Sequence, residues 1–195
     1  LHAAQIQGFF KIPMDHLTSM TIFVNYLREK NLPDAIVVSP DVGRAKTAEK
    51  YAGVLDLPMA LMHKRRNGNG DVEVVEIVGD VRGKTPIVVD DVIAGGSIYK
   101  QAQALAEAGG NPCYIMATHG ILIGQALHHL TDDCIREVVV TNTVPVPKPK
   151  QEMLPKLRVL SIASTIATAI AHIFNRESVS QEIREFAGKN VPFAV

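Results

Sequence analysis

The stretch IVVDDVIAGGSI, residues 87–98, indicates the fold more clearly than any other part of the sequence. An apolar run ends in two adjacent acids, and a loop of small residues then leads into a segment with helical periodicity. Glycines let a phosphate approach the backbone, and the amide groups at a helix N-terminus favour an anion. Two acids beside such a loop suit sugar hydroxyls or a hydrated cation. The stretch predicts a strand, an anion-binding loop and a helix capped by Ser97, and a capped helix with two solvated acids is the plainer alternative.

Segments with strand and helix character alternate on both sides of this stretch. The alternation predicts an α/β fold with a central, mostly parallel sheet flanked by helices on both faces, and ligands then bind at the carboxyl ends of the strands. Polar or proline-rich segments predict loops at 63–71, 90–97 and 144–155. Strands are expected at 35–39, 58–62, 72–78 (an edge strand or hairpin arm), 86–89, 113–118, 137–141 and 157–162, and helices at 20–30, 44–55, 98–108, 124–130 and 164–174.

The composition is that of a well-packed domain without a strong charge. The 195 residues are 47% hydrophobic and 21% charged, with a net charge of zero. These values exclude a disordered chain, a collagen and a coiled coil, and they favour neither nucleic acid nor an anionic membrane as a partner. Cys113 and Cys134 lack redox or metal spacing, so we expect reduced thiols in a cytoplasmic protein. Residues 159–174, the longest stretch of low charge, are too short and too polar to span a bilayer.

Two further loops follow predicted strands and carry basic residues. Residues 39–46, SPDVGRAK, form a turn that leads into a helix with an Arg and a Lys close to its start. This combination suits pyrophosphate, and an N-capped helix with solvated basic residues is the alternative. Residues 63–70, HKRRNGNG, combine adjacent cations with glycines, which suits a mobile lid over a transferring phosphate as well as an ordinary solvated loop.

Several segments, in order along the chain, resemble landmarks of the ribose-phosphate pyrophosphokinase (phosphoribosyl pyrophosphate synthetase) family. They are 2–10 (HAAQIQGFF), 38–41 (VSPD), 88–97 (VVDDVIAGGS), 118–121 (THGI), 140–145 (VTNTVP) and 177–180 (ESVS). The resemblance implies a type I phosphoribosyltransferase-like fold for residues 18–195, with a C-terminal helix, and makes residues 1–17 the remnant of a preceding N-terminal domain. It also implies transfer of the β,γ-diphosphoryl group of ATP to the 1-hydroxyl of ribose 5-phosphate, with Mg²⁺, in a cytoplasmic homo-oligomer.

The resemblance also assigns roles to individual residues. It implies that Asp90 and Asp91 hold the ribose hydroxyls, and that Lys64 and Arg66 stabilise the transferring group as catalytic residues. The other implied roles are 5-phosphate binding by Gly95, Gly96 and Ser97, pyrophosphate or ATP binding by Asp41, Gly43 and Lys46, and Mg²⁺ binding by His2 and Asp41.

The sequence departs from the family's pattern in two places. The loop for the sugar phosphate is one position shorter than usual, and Ala94 lies nearest to the place of a missing third acid. Arg44 replaces a residue that is usually Gly, and its long side chain can add charge to the pocket or fill it. A non-catalytic or regulatory homologue, which binds sugar phosphate or partner subunits without turnover, is therefore the alternative function. A phosphoribosyltransferase that consumes phosphoribosyl pyrophosphate and a base is a second alternative, which the ordered landmarks disfavour.

Three of the seven histidines, His119, His128 and His129, are candidate functional residues outside these loops. His119 follows a predicted strand, and we interpret it as a structural or interface residue. His128 and His129 lack the partner acids that a metal site needs, so no metal site is predicted there.

Overall fold

A computed structural model describes residues 3–66 and 73–179. Within these residues seven strands form one sheet, and the predicted α/β fold with a mostly parallel sheet is confirmed. The strands are β1 (Ala35–Ser39), β2 (Met59–Arg66), β3 (Glu73–Val78), β4 (Thr85–Ile93), β5 (Cys113–Gly120), β6 (Ile135–Thr141) and β7 (Leu157–Leu160). The helices are α1 (Met20–Lys30), α2 (Ala45–Leu55), α3 (Ser97–Glu107), α4 (Ala126–His129), α5 (Lys148–Met153) and α6 (Ala163–Asn175), with 3₁₀ turns at Ala4–Phe9 and Val42–Arg44.

The order of the strands places a reversal in the middle of the sheet. The order is β3-β2-β1-β4-β5-β6-β7, so the chain builds outward from β1 on one side and from β4 on the other. Neighbouring strands are parallel except β2 and β3, and β3 lies at the edge, as the sequence predicts. Ligands of open α/β sheets bind where the strand order reverses. The carboxyl ends of β1 and β4 are therefore the expected binding point.

Two hydrophobic cores cover the two faces of the sheet. One core packs α3 and α4 against the sheet, with Leu105 and Leu130 fully buried. The other core packs α1 and α2 against the opposite face, with Phe23 and Tyr51 buried. All five residues of β1 are buried, because a strand in the middle of a parallel sheet is covered on both sides.

Three of the predicted loops contain regular structure. β4 continues to Ile93, because β5 runs alongside it as far as Gly120, which pairs with Ile93. Asp90 and Asp91 therefore lie on the strand and not in a loop. Residues 63–66 belong to β2, because they pair with β3. The linker predicted at 144–155 contains α5, whose prolines stand at or before the first turn, where no amide donor is needed.

The remaining predictions about the whole domain concern its thiols, its membrane segments and its limits. Both cysteines are free, with Cys113 buried and Cys134 half-buried. In the described part of the chain, no helix has the length and apolar character that crossing a membrane requires. The division of the chain at residue 17 stays a prediction.

Candidate functional site

The loops that follow β1 and β4 meet at the point where the strand order reverses. β1 and β4 are paired in register, with Val37 beside Ile87 and Val38 beside Val88. Ser39 of β1 and the acids Asp90 and Asp91 of β4 therefore lie close together, beyond the buried parts of the two strands. This geometry brings together the first two of the three loops that the sequence indicates.

The β1 loop, residues 40–44, is a tight turn that Asp41 holds in place. The Ser39 hydroxyl donates to the Asp41 carbonyl oxygen at 2.7 Å, and Asp41 Oδ1 accepts from the Arg44 amide at 3.0 Å. A Cβ at Gly43 would lie 3.2 Å from the same Oδ1, which leaves little room for a side chain. Asp41 is half-buried, whereas Gly43 and Lys46 are exposed. The predicted turn into a helix is confirmed, and its proposed ligand roles stay predictions.

The acid pair, Asp90 and Asp91, faces a cation from the β1 loop. Arg44 Nη2 donates to Asp91 Oδ2, and Arg44 Nε lies 3.7 Å from Asp90 Oδ1. Asp90 Oδ1 also accepts from the Asp91 amide at 2.8 Å. The sequence leaves open whether Arg44 adds charge to the pocket or fills it, and the structure shows that its guanidinium spans the distance to both acids.

The environment of Asp90 changes its protonation. Burial, and then the neighbouring Asp91 carboxyl, raises the pKa of Asp90 to about 6. The amide of Asp91 and the charge of Arg44 act in the opposite direction and are weaker causes. Asp90 is therefore mostly ionised at neutral pH, and an ionised carboxylate accepts hydrogen bonds from hydroxyl groups.

The predicted sugar-phosphate loop, residues 94–97, leads into α3, although the cap of the helix differs from the expected one. Gly96 is the N-cap residue and Ser97 the first, exposed residue of α3, and no side chain supplies a capping hydrogen bond. Ser97 is thus not the cap that the sequence predicts, because the strand ends later and the loop is shorter than expected. A Cβ at Gly95 would meet nothing within 4 Å, whereas a Cβ at Gly96 would lie 2.4 Å from His129 Nδ1.

His129 closes the space under the sugar-phosphate loop. Its ring stacks on Tyr99, with 4.9 Å between ring centroids and an interplanar angle of 12°. His129 Nδ1 is buried without a hydrogen-bond partner. The sequence gives this residue no role beyond the absence of a metal site. Its contact with Gly96 depends on how α4 packs against α3, and no local pattern indicates it.

Gln101 is a second residue of the site that no sequence pattern indicates. It lies on α3, one turn beyond Ser97, and is almost fully buried. Its Nε2 donates to the carbonyl oxygen of Pro40 at 2.9 Å. α3 and the β1 loop are therefore joined by a buried hydrogen bond, and this contact couples the positions of the two loops.

The third loop lies only partly within the described residues, and the N-terminal histidine lies outside them. Lys64 and Arg66 lie on β2, opposite Val75 and Glu73 of β3, so the first four residues of the predicted lid, 63–66, belong to a paired strand and not to a loop. His2 lies outside the described residues, and residues 67–72 of the predicted lid do also. The catalytic roles of Lys64 and Arg66 and the metal role of His2 stay predictions. His119 Nδ1 lies 2.8 Å from Thr143 Oγ1, a contact between neighbouring strand ends that supports a structural role.

The implied Mg²⁺ can be compared with the side chains that the structure describes. Residues 3–66 and 73–179 contain no group of three or more side chains that could hold a metal ion alone. Mg²⁺ usually keeps several waters and binds through one or two carboxylates together with substrate phosphates. Asp41, on a turn beside the reversal point, fits the part of such a carboxylate. The donor set is thus suited to a cation that arrives with a phosphate ligand.

Comparisons with known proteins identify the family. The phosphoribosyl transferase domain model matches residues 16–119, and the phosphoribosyl synthetase-associated domain model matches residues 72–184. The chain belongs to the ribose-phosphate pyrophosphokinase family. It is 44% identical over 186 residues to a ribose-phosphate pyrophosphokinase of Gloeobacter violaceus, with 94% of this chain and 55% of the relative covered. It is also 44% identical over 181 residues to that of Bacillus caldolyticus, with 92% and 57% covered.

A solved structure agrees with this assignment. The fold matches a phosphoribosylpyrophosphate synthetase from Mycobacterium smegmatis with a TM-score of 0.80 and 42% sequence identity. The match covers 90% of this chain and 57% of that protein. The family resemblance and the type I phosphoribosyltransferase fold predicted from the sequence are therefore confirmed. The chain spans a little over half the length of the relatives that it matches.

Proposed function

We propose that this chain is the part of a ribose-phosphate diphosphokinase that binds ribose 5-phosphate and takes part in diphosphoryl transfer from ATP. The observation that carries the proposal is the meeting of the acid pair, the start of α3 and the β1 loop at the reversal point of the sheet. Carboxylates suit sugar hydroxyls, and helix amides suit a phosphate. The relatives carry the name of the same enzyme at more than 40% identity.

The proposed reaction joins the 1-hydroxyl oxygen of ribose 5-phosphate to the β-phosphorus of ATP. The bond between the β-phosphorus and the oxygen of the α-phosphate breaks, AMP leaves, and the hydroxyl proton passes to water. The protein's task is mainly to align the two substrates and to neutralise charge on the transferring group. In this scheme Asp90 and Asp91 hold the ribose hydroxyls, and the residues 95–97 hold the 5-phosphate.

The other substrate and the cation belong to the β1 loop and the lid. Gly43 and Lys46 would meet the phosphates of ATP, and Asp41 would hold Mg²⁺ from its turn, with His2 as the second predicted ligand. Mg²⁺, when bound, supplies positive charge to the β- and γ-phosphates. Lys64 and Arg66 then stabilise the transferring group.

A direct test measures AMP and phosphoribosyl pyrophosphate formed from ATP and ribose 5-phosphate by the complete protein. The Lys64→Ala variant should lose about 10²-fold or more of turnover, because charge on the transferring group is no longer neutralised, while its unfolding midpoint barely changes. Lys148→Ala is the matched control, since Lys148 is an exposed lysine on α5. Equal turnover in the Lys64 variant and the parent would refute the lid assignment.

The same assay separates the alternative functions. Calorimetric binding of ribose 5-phosphate without AMP formation by the complete protein would identify a non-catalytic homologue. Release of pyrophosphate from phosphoribosyl pyrophosphate on addition of a purine or pyrimidine base would identify a phosphoribosyltransferase. No observation in the structure or among the relatives favours either alternative.

The proposal extends to assembly and location. We expect a homo-oligomer in the cytoplasm, with ATP and ribose 5-phosphate as partners and no nucleic acid or membrane. Exposed apolar side chains support self-association, among them Phe9 at 87% exposure and Phe174 at 86%. Light scattering after size-exclusion chromatography of the complete protein measures the assembly directly, and a monomer at micromolar concentration would contradict it.

A further inference from the structure

The segment that follows β5, residues 121–123, supports the start of the predicted sugar-phosphate loop. Its three consecutive amides donate to two carbonyl oxygens of that region. The first two bind the carbonyl oxygen of Ile93 at 2.9 and 3.1 Å, and the third binds that of Ala94 at 2.8 Å. Ile93 is the last residue of β4, and Ala94 is the first residue of the loop. This support segment, residues 121–123, therefore fixes the point at which the loop leaves the sheet.

The loop contains few side chains that could hold it in place. Gly95 and Gly96 have none, and no side chain caps the start of α3. A Cβ at Gly95 would meet nothing within 4 Å, so this part of the loop is open. The ring of His129 restrains the loop at Gly96, and the hydrogen bonds from the support segment restrain it at its beginning. The place of the loop therefore depends on contacts that neighbouring segments supply.

The middle residue of the support segment, Leu122, has a strained backbone. Its φ of 51° lies in the left-handed region, which a residue with a large side chain rarely adopts. Its side chain is almost fully buried in the core that packs α3 and α4 against the sheet. A backbone of this kind persists only where the surrounding contacts hold it, and it is frequent at functional sites. The shape of the support segment therefore depends on whatever holds Leu122.

Lys150, a half-buried residue of α5, holds the backbone on both sides of Leu122. Its Nζ donates to the carbonyl oxygen of Ile121 at 3.2 Å and to that of Leu122 at 2.9 Å. These two carbonyl groups belong to the planar peptide units before and after the Leu122 Cα, so holding both of them fixes φ and ψ of this residue. Hydrogen bonds from a charged donor are stronger than those between neutral groups. The ammonium group thus keeps the support segment in its strained shape.

We propose that Lys150 is a positioning residue for ribose 5-phosphate, because it holds the support segment and thereby fixes the place of the sugar-phosphate loop. The proposal rests on the proposed function, which assigns residues 95–97 to the 5-phosphate. Lys150 acts through the carbonyl groups of the support segment and not by contact with the substrate. Without its ammonium group, Leu122 can leave the left-handed conformation and the three amides of the support segment shift. The amides at the start of α3 then lose the arrangement that suits a phosphate.

Steady-state kinetics of the complete protein test this role with the substitution Lys150→Met, which removes the ammonium group and keeps an unbranched apolar side chain. The variant should raise KM for ribose 5-phosphate at least about fivefold, because two hydrogen bonds from a charged donor are lost. KM for ATP, whose phosphates are assigned to the β1 loop, should stay within about twofold of the wild-type value. Lys150→Arg keeps a charged donor and should bring KM for ribose 5-phosphate back towards the wild-type value.

Two matched controls separate positioning from charge and from stability. Lys148→Met removes the same charge from an exposed position of the same helix. Lys30→Met removes a cation that lies 3.2 Å from Glu137 Oε2, near the start of β6 and thus towards the opposite edge of the sheet. Both controls should keep KM for ribose 5-phosphate within about twofold of the wild-type value. If the wild type forms AMP, an unchanged KM for ribose 5-phosphate in Lys150→Met would overturn the inference, and so would an equal rise in either control.

Hydrogen–deuterium exchange of the complete protein without substrate gives a second test that needs no turnover. The amides of the support segment and of residues 94–97 should exchange about tenfold faster in Lys150→Met than in the wild type or in Lys30→Met. Unchanged exchange would overturn the inference and leave the diphosphokinase assignment intact. Failure of the wild type to form AMP would overturn the proposed function, whereas faster exchange in Lys150→Met would still support the link between Lys150 and the sugar-phosphate loop.

Discussion

Replacing Gly96 with alanine tests whether the contact between the sugar-phosphate loop and His129 shapes the site. The backbone of Gly96, with φ of −85° and ψ of 4°, is accessible to alanine, so the substitution adds a methyl group without backbone strain. That methyl carbon would lie 2.4 Å from His129 Nδ1 and 3.0 Å from its Cε1. Ordinary contacts begin at 3.4 Å, so the ring or the loop must move by about 1 Å.

The cost of this movement follows from the packing of His129. The imidazole stacks on Tyr99 and its Nδ1 is buried, so the ring cannot simply rotate into solvent. Forcing an extra methyl group into a packed site costs about 1–3 kcal/mol. Gly95 is the matched control, because a methyl group there meets nothing within 4 Å. We expect Gly95→Ala to change the free energy of unfolding by less than about 1 kcal/mol.

Urea denaturation followed by circular dichroism measures both variants. The Gly96→Ala variant should be less stable than the Gly95→Ala variant by about 1–3 kcal/mol. A double-mutant cycle with His129→Ala separates the clash from the general preference of an N-cap for glycine over alanine, and its coupling energy should be about 1 kcal/mol or more. Equal stability of the two glycine variants, or a coupling energy near zero, would refute the contact between Gly96 and His129.

Two further predictions concern the residues beside this loop. Asp90→Asn should raise the free energy of unfolding at pH 8. The pKa of Asp90 is raised to about 6 in the folded protein, so the ionised carboxylate destabilises the folded state at this pH, and asparagine removes that cost. The gain should shrink as the pH falls through 6 towards 4, because the wild-type carboxyl then takes up its proton. Urea titrations between pH 4.5 and 8 measure this, and a gain that grows at low pH would contradict the stated cause. Gln101→Met should cost about 1 kcal/mol in thermal unfolding, since Pro40 loses a buried donor while the unpartnered Gln101 Oε1 is also removed. Gln101→Glu should cost more, because an acceptor then faces the carbonyl oxygen; equal costs would show that the hydrogen bond to Pro40 is unimportant.

The sequence predicts the residues of the site best where the functional groups are close neighbours along the chain. The acid pair, the glycines that follow it and the turn at Asp41 are each recognisable as short patterns, because strand, loop and helix follow one another within a few residues. Their meeting at one edge of the sheet also follows from the sequence, since parallel strands place their carboxyl ends together. The predicted fold class depends on the same local alternation and is confirmed.

Some boundaries could not be predicted from local patterns. The sequence places Asp90 and Asp91 in a loop, whereas pairing with β5 extends β4 to Ile93. The prolines of 144–155 indicate a linker, whereas α5 forms with Pro147 as its N-cap residue and Pro149 in its first turn. In each case the outcome depends on a neighbouring strand or on the position of a residue within a helical turn, and a window of a few residues contains neither.

The amino-acid sequence by itself determined the alternation of strands and helices, the family and the residue types at the site, because these depend on periodicity and on motifs within single segments. Only the tertiary structure decided that Arg44 reaches the acid pair, that Gln101 joins α3 to Pro40 and that His129 lies under Gly96. These contacts join residues that are 33 to 61 positions apart along the chain, and their geometry follows from how the strands pair and how the helices pack on the sheet. Packing of that kind arises from the whole core at once, and no single stretch of sequence specifies it.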